Sequence, residues 1–233
     1  MFFDKKDIFF DLDHTIWDFD RNAEETLQEL YYRYDFDKLL NDANSAGFIS
    51  AYTRNNHRLW HLYHHGKIDK ATLRKSRFAD TFSDLGLDPE IFPTDFEEEY
   101  ITICPTKTNL FPNAHETLSY LQAKYNLHLI SNGFKEACEM KLEKSNLLPY
   151  FQTIVISENV GINKPDPAIF DYAVSQSKTK ASASIMIGDN LDADVRGAQN
   201  YGMDAIFFNS IDAEKPNDVP HMIKDLKELQ KVF

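Results

Sequence analysis

The stretch Ile8-Phe9-Phe10-Asp11-Leu12-Asp13-His14-Thr15 decides how the rest of the chain is read. Its apolar half reads as a strand covered on both faces, because such a strand leaves no room for polar side chains. Its polar half sets two carboxylates at the carboxyl end of that strand, where open α/β sheets hold their ligands. Spacing by two sends both to one side for as long as the backbone stays extended. Two anions that close repel, so the pair calls for a cation or a shared proton.

Downstream of Thr15 the apolar pattern turns helical for about ninety residues. Asn22 with Glu25 three residues on reads as a capping box, opening a helix through Ala23, Leu27, Leu30, Tyr31 and Tyr34. Further helices are predicted over Ser50–His65, from Asp69 to Gly86 and over Thr94–Ile103. From Leu110 onward, helices alternate with short apolar strands. The strands are predicted at Leu127–Ser131, Thr153–Ser157, Ser184–Gly188 and Ala205–Phe208, and a last helix carries Met222, Leu226, Leu229 and Val232. Alternation of this kind predicts a doubly wound parallel sheet, an α/β Rossmann-like core with helices on both faces. Residues 1–17 and 108–233 would form that core, and 18–107 an all-helical cap inserted after the first strand.

Composition limits the function classes. The chain has 233 residues, 42% of them hydrophobic, enough for a sizeable core. Its net charge of −12 argues against nucleic acid as a partner, while leaving room for a small phosphorylated metabolite beside a local lysine and metal. No stretch approaches the roughly 18 apolar residues of a membrane span. Cys104 and Cys138 are too few for a disulfide framework, so a reduced, cytoplasmic setting is expected. Oligomeric state is left open.

Polar residues follow each predicted strand. Ser131-Asn132-Gly133 closes one, Asn163-Lys164-Pro165-Asp166 follows the next, and Gly188-Asp189-Asn190-Leu191-Asp192-Ala193-Asp194 ends a third. In a parallel sheet these meet at one edge beside Asp11 and Asp13. Carboxylates bind Mg2+ through oxygen, while a lysine and backbone N–H groups suit phosphate. Taken alone, Lys164 reads as a surface lysine and Asp192 as a helix-cap or surface acid. His57, His61 and His64 fall on one helical arc without a second ligand cluster, so they read as a solvated face rather than a zinc site.

These four segments resemble the haloacid dehalogenase-like superfamily of phosphotransferases over nearly the whole chain. Its Asp-x-Asp-x-Thr pattern is met by Asp11, Asp13 and Thr15. The resemblance implies that Asp11 is the nucleophile forming an aspartyl-phosphate and Asp13 the general acid/base. It also implies that Ser131, Asn132 and Lys164 bind the phosphoryl group, with Lys164 steadying the nucleophile. Mg2+ would be held by Asp11, Asp189 and the backbone carbonyl of Asp13, with Asp194 acting behind them. The dehalogenases of the superfamily lack a second aspartate, because their ester is attacked at carbon; Asp13 therefore favours a phosphatase. His14 departs from the more usual Asp, Gly or Asn.

Within the superfamily the chain is most similar to the pyrimidine nucleoside 5′-monophosphatases. The marks are Asp18-Phe19-Asp20, Asn56, Leu59-Trp60, Gly66-Lys67-Ile68, Arg74, Arg77-Phe78 and Ser157-Glu158-Asn159-Val160-Gly161. The resemblance implies a nucleotide phosphatase; a phosphatase or phosphomutase of sugar phosphates or other small phosphometabolites is the alternative. A receiver-like regulatory domain also carries an acceptor aspartate, but binding alone has no use for Asp13.

Overall fold

The structure is a computed structural model and describes residues 2, 4–40, 44–88 and 91–233. Contacts divide it into two compact units, Met1–Phe19 with Thr108–Phe233, and Asp20–Lys107. The first strand, β1 (Asp7–Phe10), is buried along its whole length: Ile8–Phe10 as an apolar run requires, and Asp7 through its pairing with His128 at 3.0 Å. Phe9 and Phe10 are each worth about 2–3 kcal/mol on burial.

The inserted residues form α1 (Phe19–Arg33), α2 (Phe36–Leu39), α3 (Ser45–His64), α4 (Lys70–Asp84) and α5 (Phe96–Ile103). Asn44 and Asp69 cap α3 and α4 by accepting the N–H of Gly47 and Thr72. The helices enclose an aromatic interior in which Phe36 stacks on Phe96 at 5.4 Å and Phe48 on Phe82 at 5.7 Å. Two of the subgroup marks serve this interior. Arg77 is buried, grips Glu97 through Nε and Nη2 at 3.0 and 2.7 Å, and lies over the Tyr100 ring; Phe78 stacks on Tyr52. Asn22 is not the start of the first helix. It lies buried one turn inside α1, where its carbonyl accepts the Thr26 hydroxyl.

The first unit, opened by β1, continues as α6 (Ala114–Gln122), β2 (Asn126–Ser131), α7 (Lys135–Lys144), β3 (Thr153–Ile156), α8 (Ser157–Val160), α9 (Pro167–Gln176), β4 (Ser184–Gly188), a π-helical turn at Leu191–Arg196, α10 (Gly197–Tyr201), β5 (Asp204–Phe208), β6 (Met222–Ile223) and α11 (Leu229–Val232). All six strands are parallel, in the order β3-β2-β1-β4-β5-β6. Phe9 stands level with His128 and Met186, inside a core that includes Ile130, Val155, Phe170 and Phe207.

Two expectations are corrected at the end of the chain. Met222 belongs to a sixth strand, pairing with Phe207, and the predicted final helix shrinks to a 3-10 turn capped by Asp225 and Glu228 plus one turn of α-helix. The apolar spacing of this short segment satisfies a helix and a strand-plus-turn equally, and the open edge of β5 decided between them.

Candidate active site

The strand order reverses between β1 and β4, and a crevice opens beyond the carboxyl ends of strands wherever such a reversal occurs. The sequence places Asp11 directly after β1 and Asp189 directly after β4. The ladder continues one step past β1, with the Asp11 N–H donating to the Ile187 carbonyl at 2.9 Å. Beyond Leu12 the chain turns: Ile16 and Trp17 N–H both reach back to the Leu12 carbonyl, and His14 takes a left-handed φ of 63°. Gly, Asn and Asp reach that region more readily than most residues, which gives a backbone reason for their being usual at this position.

Asp11, Asp189 and Asp194 each offer a carboxylate oxygen within 4.8 Å of the others. Lys164, 1% exposed, lies between two of them, 2.6 Å from Asp11 Oδ1 and 2.6 Å from Asp194 Oδ1. Its ammonium also donates to the Ile130 carbonyl at 2.7 Å. The Asp194 contact is an ion pair without hydrogen-bond alignment. Asp194 Oδ2 accepts the Asn190 N–H at 3.0 Å. That carboxylate presses against the end of β4, where a Cβ at Gly188 would lie 2.3 Å from Asp194 Oδ2. Only glycine leaves room for it.

Neighbouring residues hold these groups. Thr15 Oγ1 donates to Asp189 Oδ1 and accepts the Asp189 N–H, both at 3.1 Å, and so holds Asp189 by side chain and backbone together. Asn190 caps the turn that carries Asp194 by accepting the N–H groups of Asp192 and Ala193. Asp192 itself is exposed and pairs with Arg196. The Asn132 amide was grouped with the phosphate binders from sequence. It accepts the Lys164 N–H at 2.8 Å and donates to the Lys164 carbonyl at 2.9 Å, so its side chain clamps the lysine's backbone. Ser131 Oγ accepts the Gly133 N–H at 3.1 Å and stands 3.5 Å from the Cys138 sulfur.

One residue went unnoticed in the sequence. Lys141 of α7 is buried and donates to Asp13 Oδ1 at 2.6 Å. Its only sequence signal is position: it lies three residues after Cys138, on the buried face of its helix.

Fully ionised, the carboxylates of Asp11, Asp13, Asp189 and Asp194 would exceed the ammonium groups of Lys141 and Lys164 by two negative charges. Burial, opposed by Lys164 and reinforced by Asp194, pushes the Asp11 carboxyl up to about 7. Burial and the Asp11 charge hold Asp189 well above the carboxylate range. For Lys164, burial works against the ammonium, but Asp11 and Asp194 outweigh it and keep the lysine charged. Converging carboxylate oxygens whose full ionisation would leave a surplus of two negative charges fit a hard divalent cation in donor type and charge.

A sequence model of the family described as haloacid dehalogenase-like hydrolase matches residues 8–208. The pyrimidine 5′-nucleotidase YjjG of Escherichia coli (strain K12) is 29% identical over 229 residues, covering 97% of this chain and 96% of its own. The pyrimidine 5′-nucleotidase PynA of Streptococcus pneumoniae (strain ATCC BAA-255 / R6) is 31% identical over 233 residues, covering 98% of this chain and 90% of its own. Among solved structures, the HAD-hydrolase YfnB of Bacillus subtilis, bound to magnesium, superposes with a TM-score of 0.84 at 25% identity over 98% of both chains. Motif, sheet order and full-length likeness agree, and the chain belongs to the haloacid dehalogenase-like hydrolase family.

Proposed function

We propose that the protein is a Mg2+-dependent phosphatase of pyrimidine nucleoside 5′-monophosphates that works through an aspartyl-phosphate on Asp11. The observation that carries the chemistry is the cluster of Asp11, Asp189 and Asp194 with the Lys164 ammonium wedged between two of them. The substrate class is supported by the activities named for the two full-length relatives and by the subgroup marks in the sequence.

In this reading Asp11 attacks phosphorus, and the ester P–O bond breaks as Asp13 gives its proton to the leaving oxygen. Asp13 then takes a proton from water, the water oxygen bonds to phosphorus, and the bond to Asp11 breaks, freeing phosphate and restoring both carboxyls. Lys164 stays charged throughout and holds Asp11 Oδ1 in place. The Ser131 hydroxyl and the N–H groups of its loop are the donors offered to phosphoryl oxygens. Mg2+, held by Asp11, Asp189 and the Asp13 carbonyl with Asp194 behind them, would neutralise the crowded acids and polarise the phosphoryl group. The helical unit is assigned the part of the cap that selects substrates. The substrate pool is taken to be cytoplasmic, in keeping with Cys104 and Cys138 both standing as buried thiols rather than in a disulfide.

The test is phosphate release across nucleoside 5′-monophosphates, sugar phosphates and glycolytic intermediates. Pyrimidine nucleotides should lead, Asp11→Asn and EDTA should each abolish turnover, and Mg2+ should restore the EDTA-treated enzyme. A flat response over all nucleotides rejects the pyrimidine assignment; wild-type turnover by Asp11→Asn rejects the mechanism.

A further inference from the structure

Lys141 lies outside the Asp11–Lys164–Asp189–Asp194 cluster, and the reaction sequence above does not use it. It is 5% exposed on α7. A buried ammonium is costly unless something faces it. Asp13 Oδ1 does so at 2.6 Å, and the Trp17 ring lies with its centroid 4.3 Å from the nitrogen. Phe19 adds a second ring at 5.3 Å. Trp17 is fully buried, and its backbone pairs with Asp13 in an isolated bridge while its carbonyl accepts the His14 N–H. One residue therefore braces the backbone that carries Asp13 and floors the cation that grips it.

The grip is one-sided. Asp13 Oδ1 is taken by Lys141, whereas Oδ2 faces the loop after β2. A Cβ at Gly133 would stand 3.5 Å from Asp13 Oδ2 and 3.2 Å from Ser131 Oγ. The second oxygen of Asp13 and the hydroxyl offered to the phosphoryl group thus border the same space.

We propose that Lys141, seated on Trp17, is a positioning residue that fixes the rotamer of Asp13 so that Oδ2 alone is presented to the leaving-group oxygen. This rests on the phosphatase reading. Without the anchor the Asp13 carboxyl turns freely, and the proton is delivered from the right place in only a fraction of encounters.

The test compares leaving groups. A nucleoside or alkyl oxygen needs a proton as it departs, whereas p-nitrophenolate is stable without one. In wild type, Lys141→Met and Lys141→Arg, alcohol release is followed in the first turnover with enzyme in excess and Mg2+ present, and kcat and KM are taken from parallel steady-state runs. Lys141→Met should slow release from a nucleoside 5′-monophosphate by about tenfold or more, leave p-nitrophenol release within about twofold, and barely change KM. Lys141→Arg, which keeps the cation, should recover most of the loss. An equal fall for both substrates, a rise in KM with kcat unchanged, or no effect on either overturns the proposal. If Lys141→Met does not fold, Lys141→Gln is judged by the same split. A wild-type enzyme without phosphatase turnover removes the underlying reading and this inference with it; a working wild type with an indifferent Lys141→Met removes only the inference.

Discussion

Stripped of divalent cations, the folded protein should lose stability as pH rises, and Asp11 should be a main cause. The Asp11 carboxyl moves from an ordinary 3.8 to about 7 on folding, chiefly through burial. A raised carboxyl binds its proton more tightly in the folded state, so its contribution is complete below about 4 and lost as pH climbs through about 7. At about 1.4 kcal/mol per pH decade, the interval corresponds to about 4 kcal/mol. Asp11→Asn removes the titration while nearly keeping the shape. Measured in EDTA, the stability of the variant minus that of wild type should climb by about 3 kcal/mol between pH 4.5 and 8. Groups distant from Asp11 cancel in that difference. Urea unfolding followed by the fluorescence of buried Trp17, with Trp60 replaced by Phe, reads it in the unit that carries the site. In saturating Mg2+ the wild type should recover about 3 kcal/mol at a hundred times the Kd, and the climb should flatten. A difference that stays level or falls in EDTA refutes the argument that these acids are crowded beyond what Lys164 compensates.

Two further substitutions probe the backbone around the site. Gly188→Ala puts a methyl group 2.3 Å from Asp194 Oδ2, with that side chain held by Asn190 and Lys164; it should cost about 1–3 kcal/mol, seen as a lowered urea midpoint, and turnover should fall about a hundredfold. An unchanged midpoint would mean that Asp194 moves aside at no cost. His14→Val forces a β-branched residue into the left-handed turn and should cost about 1–2 kcal/mol by thermal melting, whereas His14→Asn should stay within about 0.5 kcal/mol; equal melting temperatures would show that φ does not constrain the position.

Much of this was legible because a parallel sheet speaks plainly. A run such as Ile8–Phe10 fits little besides a buried strand, and polar residues after successive strands must gather at one edge. Legibility failed where one residue type fits two settings. A lysine at a helical position reads as solvent-facing, and nothing local to Lys141 tells that Trp17, more than a hundred residues earlier, floors it. Asn132 looked like a ligand group because its side chain can donate and accept; the Lys164 backbone, thirty-two residues on, takes up both functions. Met222 was misplaced because two residues of edge strand leave no periodicity to read.

The position of β1 has a consequence for how the protein is made. The strand leading into Asp11 leaves the ribosome well before its two neighbours, which begin at Asn126 and Ser184. At about 5–20 residues per second, synthesis of the intervening chain takes on the order of ten seconds or more. For that interval Ile8-Phe9-Phe10 has no native partner on at least one edge, an adhesive segment awaiting its sheet. Chaperone capture during translation should therefore fall on Ile8-Phe9-Phe10, and should end once Gly188 has emerged.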